Sequence, residues 1–333
     1  YSYTGGLKSV LWTDFIQGSV LLVGVTFALF YLANGINGGF GAIFQTMGEG
    51  KFLAADQPIF NPNILKDSVF LLIVGAGLNT CSSYVSSQDI VQRFTTTTDM
   101  KKLNKMMLTN GALSIFIATV FYLIGTGLYV FYSQNALPPA AQQDQIFASY
   151  IAYELPVGIT GLLLAAIYAA SQSTLSTGLN SVATSWTLDI QERLSRKKMS
   201  FALQTRIAQY VSLGVGIVAI LVSMVLANGE IKSAYEWFNG FMGLVLGVLG
   251  GTFALGTFTK VANAKGAYVA FFVAAVTMVC IKYMAPAGSV SIWSYSIISI
   301  AISLVVGIPV SMITRKLDGD TSKPVKDATI YHN

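Results

Sequence analysis

The sequence predicts an all-α polytopic membrane protein with eight transmembrane helices. Three observations carry this. Hydrophobic residues make up 53% of the 333 positions and charged residues 11%, well under the quarter or so typical of a soluble domain. Eight stretches reach the roughly 20 mostly apolar residues that a spanning helix needs. The basic residues sort between alternate connections. Together these exclude a soluble enzyme, a disordered chain and a nucleic-acid binder, despite the net charge of +5.

The predicted spans lie at about 9–34, 66–92, 106–132, 157–188, 204–227, 234–258, 265–285 and 291–314. With Lys8 placed on the cytoplasmic side, Arg93, Lys101, Lys102, Lys105, Arg193, Arg196, Lys197, Lys198 and Arg206 follow it there. So do Lys260, Lys265, Arg315, Lys316, Lys323 and Lys326. Only Lys51, Lys66, Lys232 and Lys282 fall outside. The positive-inside rule then puts both chain ends in the cytoplasm of a multi-pass protein of the cell (plasma) membrane. Residues 1–317 form the membrane domain and 318–333 a polar cytoplasmic tail. Tyr1 is not an initiator methionine and no signal segment precedes the first span, so earlier helices are expected upstream.

The first span carries Asp14 near its cytoplasmic end. A carboxylate inside a span is costly and is by default a functional group. The other reading is a carboxylate that reaches the surface or pairs with Lys8. The second span holds Asn79-Thr80-Cys81-Ser82-Ser83-Tyr84-Val85-Ser86-Ser87-Gln88-Asp89, small hydroxyls that suit a solute cavity. Its Asp89 and Arg93 stand four apart and are expected to form a surface pair. The external stretches 34–62 and 135–156 are long, and short re-entrant or interfacial helices are expected within them.

The fourth span is the most informative and is long enough to require a tilt or bend. Its second half places Ser173, Ser176, Thr177 and Asn180 at i, i+3, i+4 and i+7, on one face. Hydroxyl and amide oxygens in that array suit a small hard cation. They equally suit close helix packing, where small polar residues share hydrogen bonds. In the sixth span Glu236, Trp237 and Asn239 mark an outer gate or an interfacial cluster. Trp12, Trp186 and Trp293 fit the aromatic belts. No Walker loop, dinucleotide fingerprint, zinc motif or nucleophile elbow occurs, so no catalytic residue and no bound organic cofactor is expected. His332 is the one histidine, and Cys81 and Cys280 require no disulfide.

Three stretches then point to a family. They are Gly5-Gly6-Leu7-Lys8-Ser9-Val10-Leu11-Trp12-Thr13-Asp14-Phe15-Ile16-Gln17, Ser86-Ser87-Gln88-Asp89-Ile90-Val91-Gln92-Arg93, and residues 165–181, Ala-Ala-Ile-Tyr-Ala-Ala-Ser-Gln-Ser-Thr-Leu-Ser-Thr-Gly-Leu-Asn-Ser, followed by Thr187-Leu188-Asp189-Ile190. With the order of spans, they resemble the sodium:solute symporter family, and the chain is similar to the C-terminal two-thirds of a bacterial member. The resemblance implies part of a five-plus-five inverted-repeat bundle like that of the leucine transporter, an import function driven by Na+, and no enzymatic activity. It implies a core sodium site at Ala170, Ser173 and Thr174, completed by backbone carbonyls of a broken helix expected upstream of Tyr1. In members with a second sodium, the matching positions are Asp14, Ser173, Ser176 and Thr177.

For the solute, the family's bacterial galactose transporter uses Asn, Tyr, Lys and Gln at positions matching Thr80, Ser83, Ser114 and Glu236. This departure from the sugar pattern, with Ser82 and Ser86 nearby, favours an organic carboxylate such as a monocarboxylate or sialic acid. The alternatives are a sodium/sugar or sodium/amino acid symporter, a proton-coupled transporter, or a channel or sensor on the same scaffold. Expected partners are the solute, sodium ions and the lipid bilayer, with no nucleic acid and no obligate protein partner indicated.

Overall fold

The computed structural model describes residues 2–51, 58–63, 65–136, 145–195, 199–227, 234–286 and 289–317. The tail at 318–333 with His332, the basic positions 196–198 and the side chains of Lys8, Lys51, Glu236 and Trp237 lie outside the described residues. The helices are α1 (Ser2–Asn34), α2 (Gly39–Thr46), α3 (Val69–Ser86), α4 (Gln88–Phe94), α5 (Met100–Gln134) and α6 (Ile146–Tyr153). They continue with α7 (Val157–Thr184), α8 (Glu192–Ser195), α9 (Phe201–Ala227), α10 (Ala234–Phe258), α11 (Ala264–Met284) and α12 (Ser294–Leu317). Eight stretches of the described residues are long and apolar enough to cross a membrane: Ser9–Asn34, Val69–Ser86, Met100–Gln134, Val157–Ser195, Phe201–Leu226, Phe238–Phe258, Ala264–Met284 and Ser294–Leu317. The expected number of spans is therefore found. The short helices α2 and α6 fall within 34–62 and 135–156, the two stretches where short helices were expected.

Three boundaries differ from the expectation by well over one helical turn. The second span ends at Ser86, where Ser87 is extended (φ −76°, ψ 121°) and α4 begins anew. The hydroxyls there compete with the ladder: Ser86 Oγ donates to the Ser82 carbonyl at 2.6 Å. The third span starts at Met100, because Asp99 caps it by accepting the Lys101 N–H at 2.9 Å. Its first turns are polar, so hydropathy alone missed them. The fourth span does not stop at 188 but runs through a π-helical segment, Ser185–Gln191, into α8.

The helices form two compact units. The first contains α1, α2 and α5–α9. Val25, Leu29 and Leu32 of α1, with Ile36 just beyond its end, pack with Val120, Ile124, Leu128 and Phe131 of α5, Ile43 of α2 and Tyr150 of α6. Phe131 and Tyr150 meet edge-to-face with centroids 5.2 Å apart. Burial pushes the Tyr150 phenol far above its ordinary value, and nearby Tyr31 and Glu154 add to it. After α1 the chain turns through Gly38 (φ 94°) and Gly39 (φ 56°), a conformation glycine adopts without strain. Gln134 clasps this turn: its Oε1 accepts the Asn37 N–H at 2.9 Å and its Nε2 donates to the Asn37 carbonyl at 3.3 Å. No described residue of α9 is buried, and its Ile217, Ile220, Leu221 and Met224 are exposed, a surface suited to lipid.

The second unit contains α3, α10, α11 and α12. Here small residues set the packing, as expected where lipid and core are equally apolar. Gly247 and Gly251 of α10 face Ser299 and Ser303 of α12, and Gly250 faces Ser82 of α3. Ser299 and Ser303 are fully buried. Asn263 caps α11 through the Gly266 N–H at 2.8 Å, and its Nδ2 donates to Thr314 Oγ1 of α12 at 2.8 Å. Asn263→Ala is expected to cost about 1–2 kcal/mol, read as a lowered thermal unfolding midpoint of the full-length protein in detergent. An unchanged midpoint would show that water replaces both bonds.

Candidate cation site

The hydroxyl face of α7 lies against α1, and the two helices share a polar ladder. Gln17 Nε2 donates to Gln172 Oε1 at 3.1 Å. Ser173 Oγ donates to Asp14 Oδ1 at 2.8 Å, and Thr177 Oγ1 donates to Asp14 Oδ2 at 3.3 Å. Beyond it, Asn180 Nδ2 donates to Gln92 Oε1 of α4 at 3.1 Å. The register follows from helical geometry: 173, 177 and 180 recur on one face of α7, and 14 and 17 are one turn apart on α1.

Arg93 completes the cluster. Its NH2 nitrogen donates to Asp14 Oδ2 at 2.7 Å and to Thr177 Oγ1 at 3.0 Å. This corrects the expected Asp89–Arg93 surface pair. An exposed i, i+4 pair is worth a few tenths of a kcal/mol, whereas here the guanidinium gains two acceptors on two helices. Asp14 is the more withdrawn partner, with its side chain 15% exposed against 38% for Arg93. Two polar atoms of the cluster are buried without a hydrogen-bond partner, Arg93 Nε and Gln17 Oε1.

Of the residues expected at a second sodium, Asp14, Ser173 and Thr177 are thus in direct contact. Ser176 is buried and its Oγ donates to the Ser173 carbonyl at 3.0 Å. Of the core-site residues, Thr174 Oγ1 donates to the Ala170 carbonyl at 3.1 Å, and Ser173 is shared with the Asp14 cluster. Among the solute candidates, Thr80 is exposed on α3, Ser83 is half-buried with its Oγ 3.4 Å from Ser87 Oγ, and Ser86 bonds its own helix. Ser114 is exposed on α5, in the other unit, and Glu236 lies in α10. Cys81 and Cys280 are free thiols.

Gln17, Gln92, Arg93 and Gln172 were not singled out as site residues from the sequence. Their signal was available: Gln17 stands one turn from Asp14, Gln172 adjoins Ser173, and Gln92 and Arg93 end the second quoted stretch. What is gathered here is a carboxylate, several hydroxyls and amide oxygens within membrane-length helices. Such oxygens can replace the hydration of a small monovalent cation without a permanent metal site.

Polar groups gathered between membrane-length helices are a general feature of membrane transport proteins. The sodium:solute symporter family matches residues 1–274, and the chain belongs to that family. It is 32% identical over 286 residues to the sodium/sialic acid symporter SiaT of Proteus mirabilis (strain HI4320), covering 85% of this chain and 57% of the relative. It is 29% identical over 324 residues to the sodium/sialic acid symporter NanT of Aliivibrio fischeri (strain ATCC 700601 / ES114), covering 96% and 63%. A solved structure described as the substrate-bound outward-open state of a Na+-coupled sialic acid symporter, revealing a novel Na+-site, superposes with a TM-score of 0.84. It is 29% identical and covers 94% of this chain and 64% of that one. The chain therefore spans roughly three-fifths of the length of these relatives.

Proposed function

We propose that the protein acts as a sodium-coupled symporter that imports a small organic carboxylate of the sialic acid kind by alternating access. The observation that carries this is the Ser173–Asp14 hydrogen bond, which brings an interior carboxylate onto the hydroxyl face of α7 at 2.8 Å. The relatives' sodium and sialic acid supply the direction, and sodium is a co-transported substrate, not a resident cofactor. In this reading the chain contributes most of a five-plus-five inverted-repeat bundle from residues 1–317, with 318–333 as a cytoplasmic tail. The sorting of basic residues places Lys8, Arg93 and Arg315 on the cytoplasmic side.

Sodium enters two neighbouring positions. The core position takes the Ala170 carbonyl and the Ser173 and Thr174 hydroxyls, together with carbonyls expected upstream of Tyr1. The second takes Asp14, Ser173, Thr177 and Ser176. Ser173 belongs to both sets, so occupancy of one position pre-orders the other. Thr80, Ser83, Ser86, Ser114 and Glu236 are assigned to the solute path. Sodium stabilises the outward-open state and raises affinity for the solute, and by reciprocity the solute raises affinity for sodium. A membrane potential adds about 2.3 kcal/mol per 100 mV for each charge moved. Release into the low-sodium cytoplasm then frees the solute.

The test is uptake by the full-length protein in proteoliposomes. N-acetylneuraminate, lactate, proline and galactose are compared with and without an inward sodium gradient. Sodium-dependent accumulation of N-acetylneuraminate, reduced at least tenfold in Ser173→Ala and Thr174→Ala, is expected. Equal uptake in potassium, unchanged in both variants, would return the hydroxyl face to a packing role.

A further inference from the structure

We infer that Arg93 is a tethered counter-cation of the Asp14 site, which sodium displaces on binding and which reoccupies the carboxylate on release. The inference rests on the second sodium position proposed above. Its ground is geometric. One guanidinium nitrogen bonds Asp14 Oδ2 and Thr177 Oγ1, two of the oxygens a sodium would need. A single positive group therefore already sits where the ion would.

Charge balance makes the two occupants alternatives. Asp14 and Arg93 together are neutral. Sodium added beside a docked guanidinium would leave a net positive cluster within the bilayer, where unbalanced charge is costly. If sodium replaces the guanidinium on the carboxylate, neutrality at Asp14 is kept throughout the cycle. The carboxylate then never stands bare after the ion leaves, a state that would hold sodium back.

The docked arm is also built to leave. Arg93 Nε is buried without a partner, so docking leaves one donor unsatisfied, a cost that undocking recovers. The Arg93 side chain is 38% exposed, so water is already within reach of the group. Its root is held where the Arg93 carbonyl accepts Thr96 Oγ1 at 2.7 Å, and its tip is held through the bonds to Asp14 and Thr177 that the ion would replace. The residues of α4 are half-buried and none is fully buried, so little core packing resists movement of the arm.

A static ion pair that merely fastens α4 to α1 and α7 predicts the opposite response to mutation. Radiolabelled sodium binding to the full-length protein separates the two. With Arg93→Gln, the apparent constant for the Asp14-dependent sodium should fall roughly tenfold, meaning tighter binding. Methylguanidinium should then compete with that sodium in Arg93→Gln and not in the wild type, where the site's own guanidinium already fills the role. Arg93→Lys keeps the charge and should stay within about threefold of wild type. It also serves as the test if Arg93→Gln does not fold, since methylguanidinium should compete more strongly in it than in wild type. Unchanged or weaker sodium binding in Arg93→Gln, with no methylguanidinium competition, would overturn the inference. Asp14→Asn is the control. If it leaves the number of bound sodium ions unchanged, the second sodium position itself fails and the inference with it. If it removes one sodium while Arg93→Gln binds no more tightly, the position stands and the role of Arg93 alone is refuted.

Discussion

Replacing Asp14 by Asn is expected to lower sodium-driven accumulation at least tenfold in proteoliposomes while leaving sodium-independent exchange of solute measurable. Asp14 is the one carboxylate in the cluster between α1 and α7, and both its oxygens are in use. An amide keeps the size but loses the charge, so it cannot offset the dehydration of a cation. It also offers one acceptor oxygen where the carboxylate offers two. Arg93 would lose its charged partner. Because the Arg93 side chain is 38% exposed, this second cost is modest, about 1 kcal/mol. The loss should therefore appear as weaker and less steep sodium activation, not as failure to fold. The check is a sodium activation curve at fixed solute, with the unfolding midpoint measured beside it. A curve matching wild type would show that Asp14 plays no part in ion coupling.

Gly250→Val should act on the fold itself, and strongly. A Cβ at Gly250 would run into the Cβ and Oγ of Ser82 and come within 3.2 Å of its Cα. The Ser82 hydroxyl can rotate away, but its Cβ and Cα are fixed to the backbone, so α3 and α10 must separate. A Cβ on the flanking Gly247 or Gly251 would likewise lie 3.0 or 3.1 Å from the Ser296 or Ile300 Cα of α12, so α10 has little room to retreat. Overpacking of this kind costs about 3 kcal/mol or more, a large share of a typical domain's stability. The expected result is loss of a monodisperse peak after extraction. Gly256→Ala, where a Cβ meets nothing within 4 Å, should be harmless. A well-folded Gly250→Val protein would mean that α3 and α10 do not pack this closely.

The two variants differ in how readily the sequence reveals them. Asp14 stands out because charge is scarce in the spans, and the hydroxyls at 173, 176, 177 and 180 stand out by helical periodicity. The number of spans follows from hydropathy. Arg93 was hidden by a decoy: Asp89 at i−4 offers a ready local partner, and only the tertiary approach of Asp14 and Thr177 reveals the preferred one. The glycine and serine stripe between α10 and α12 carries almost no hydropathy signal, since its residues matter by smallness and not by apolarity. The break at Ser87 and the π segment at Ser185–Gln191 are equally silent, because both fall inside continuous polar or mixed stretches whose hydropathy does not change there. The solute candidates Thr80, Ser83 and Ser114 came from matched positions in a relative, not from any pattern of their own.

The most direct test of the account is the sodium-to-solute coupling ratio. It is obtained from the gradient and voltage at which net flux of N-acetylneuraminate vanishes, in proteoliposomes carrying the full-length wild type or Asp14→Asn. The account predicts that Asp14→Asn couples one sodium fewer per solute than the wild type. The same ratio in both would contradict the assignment of a transported ion to Asp14, Ser173 and Thr177.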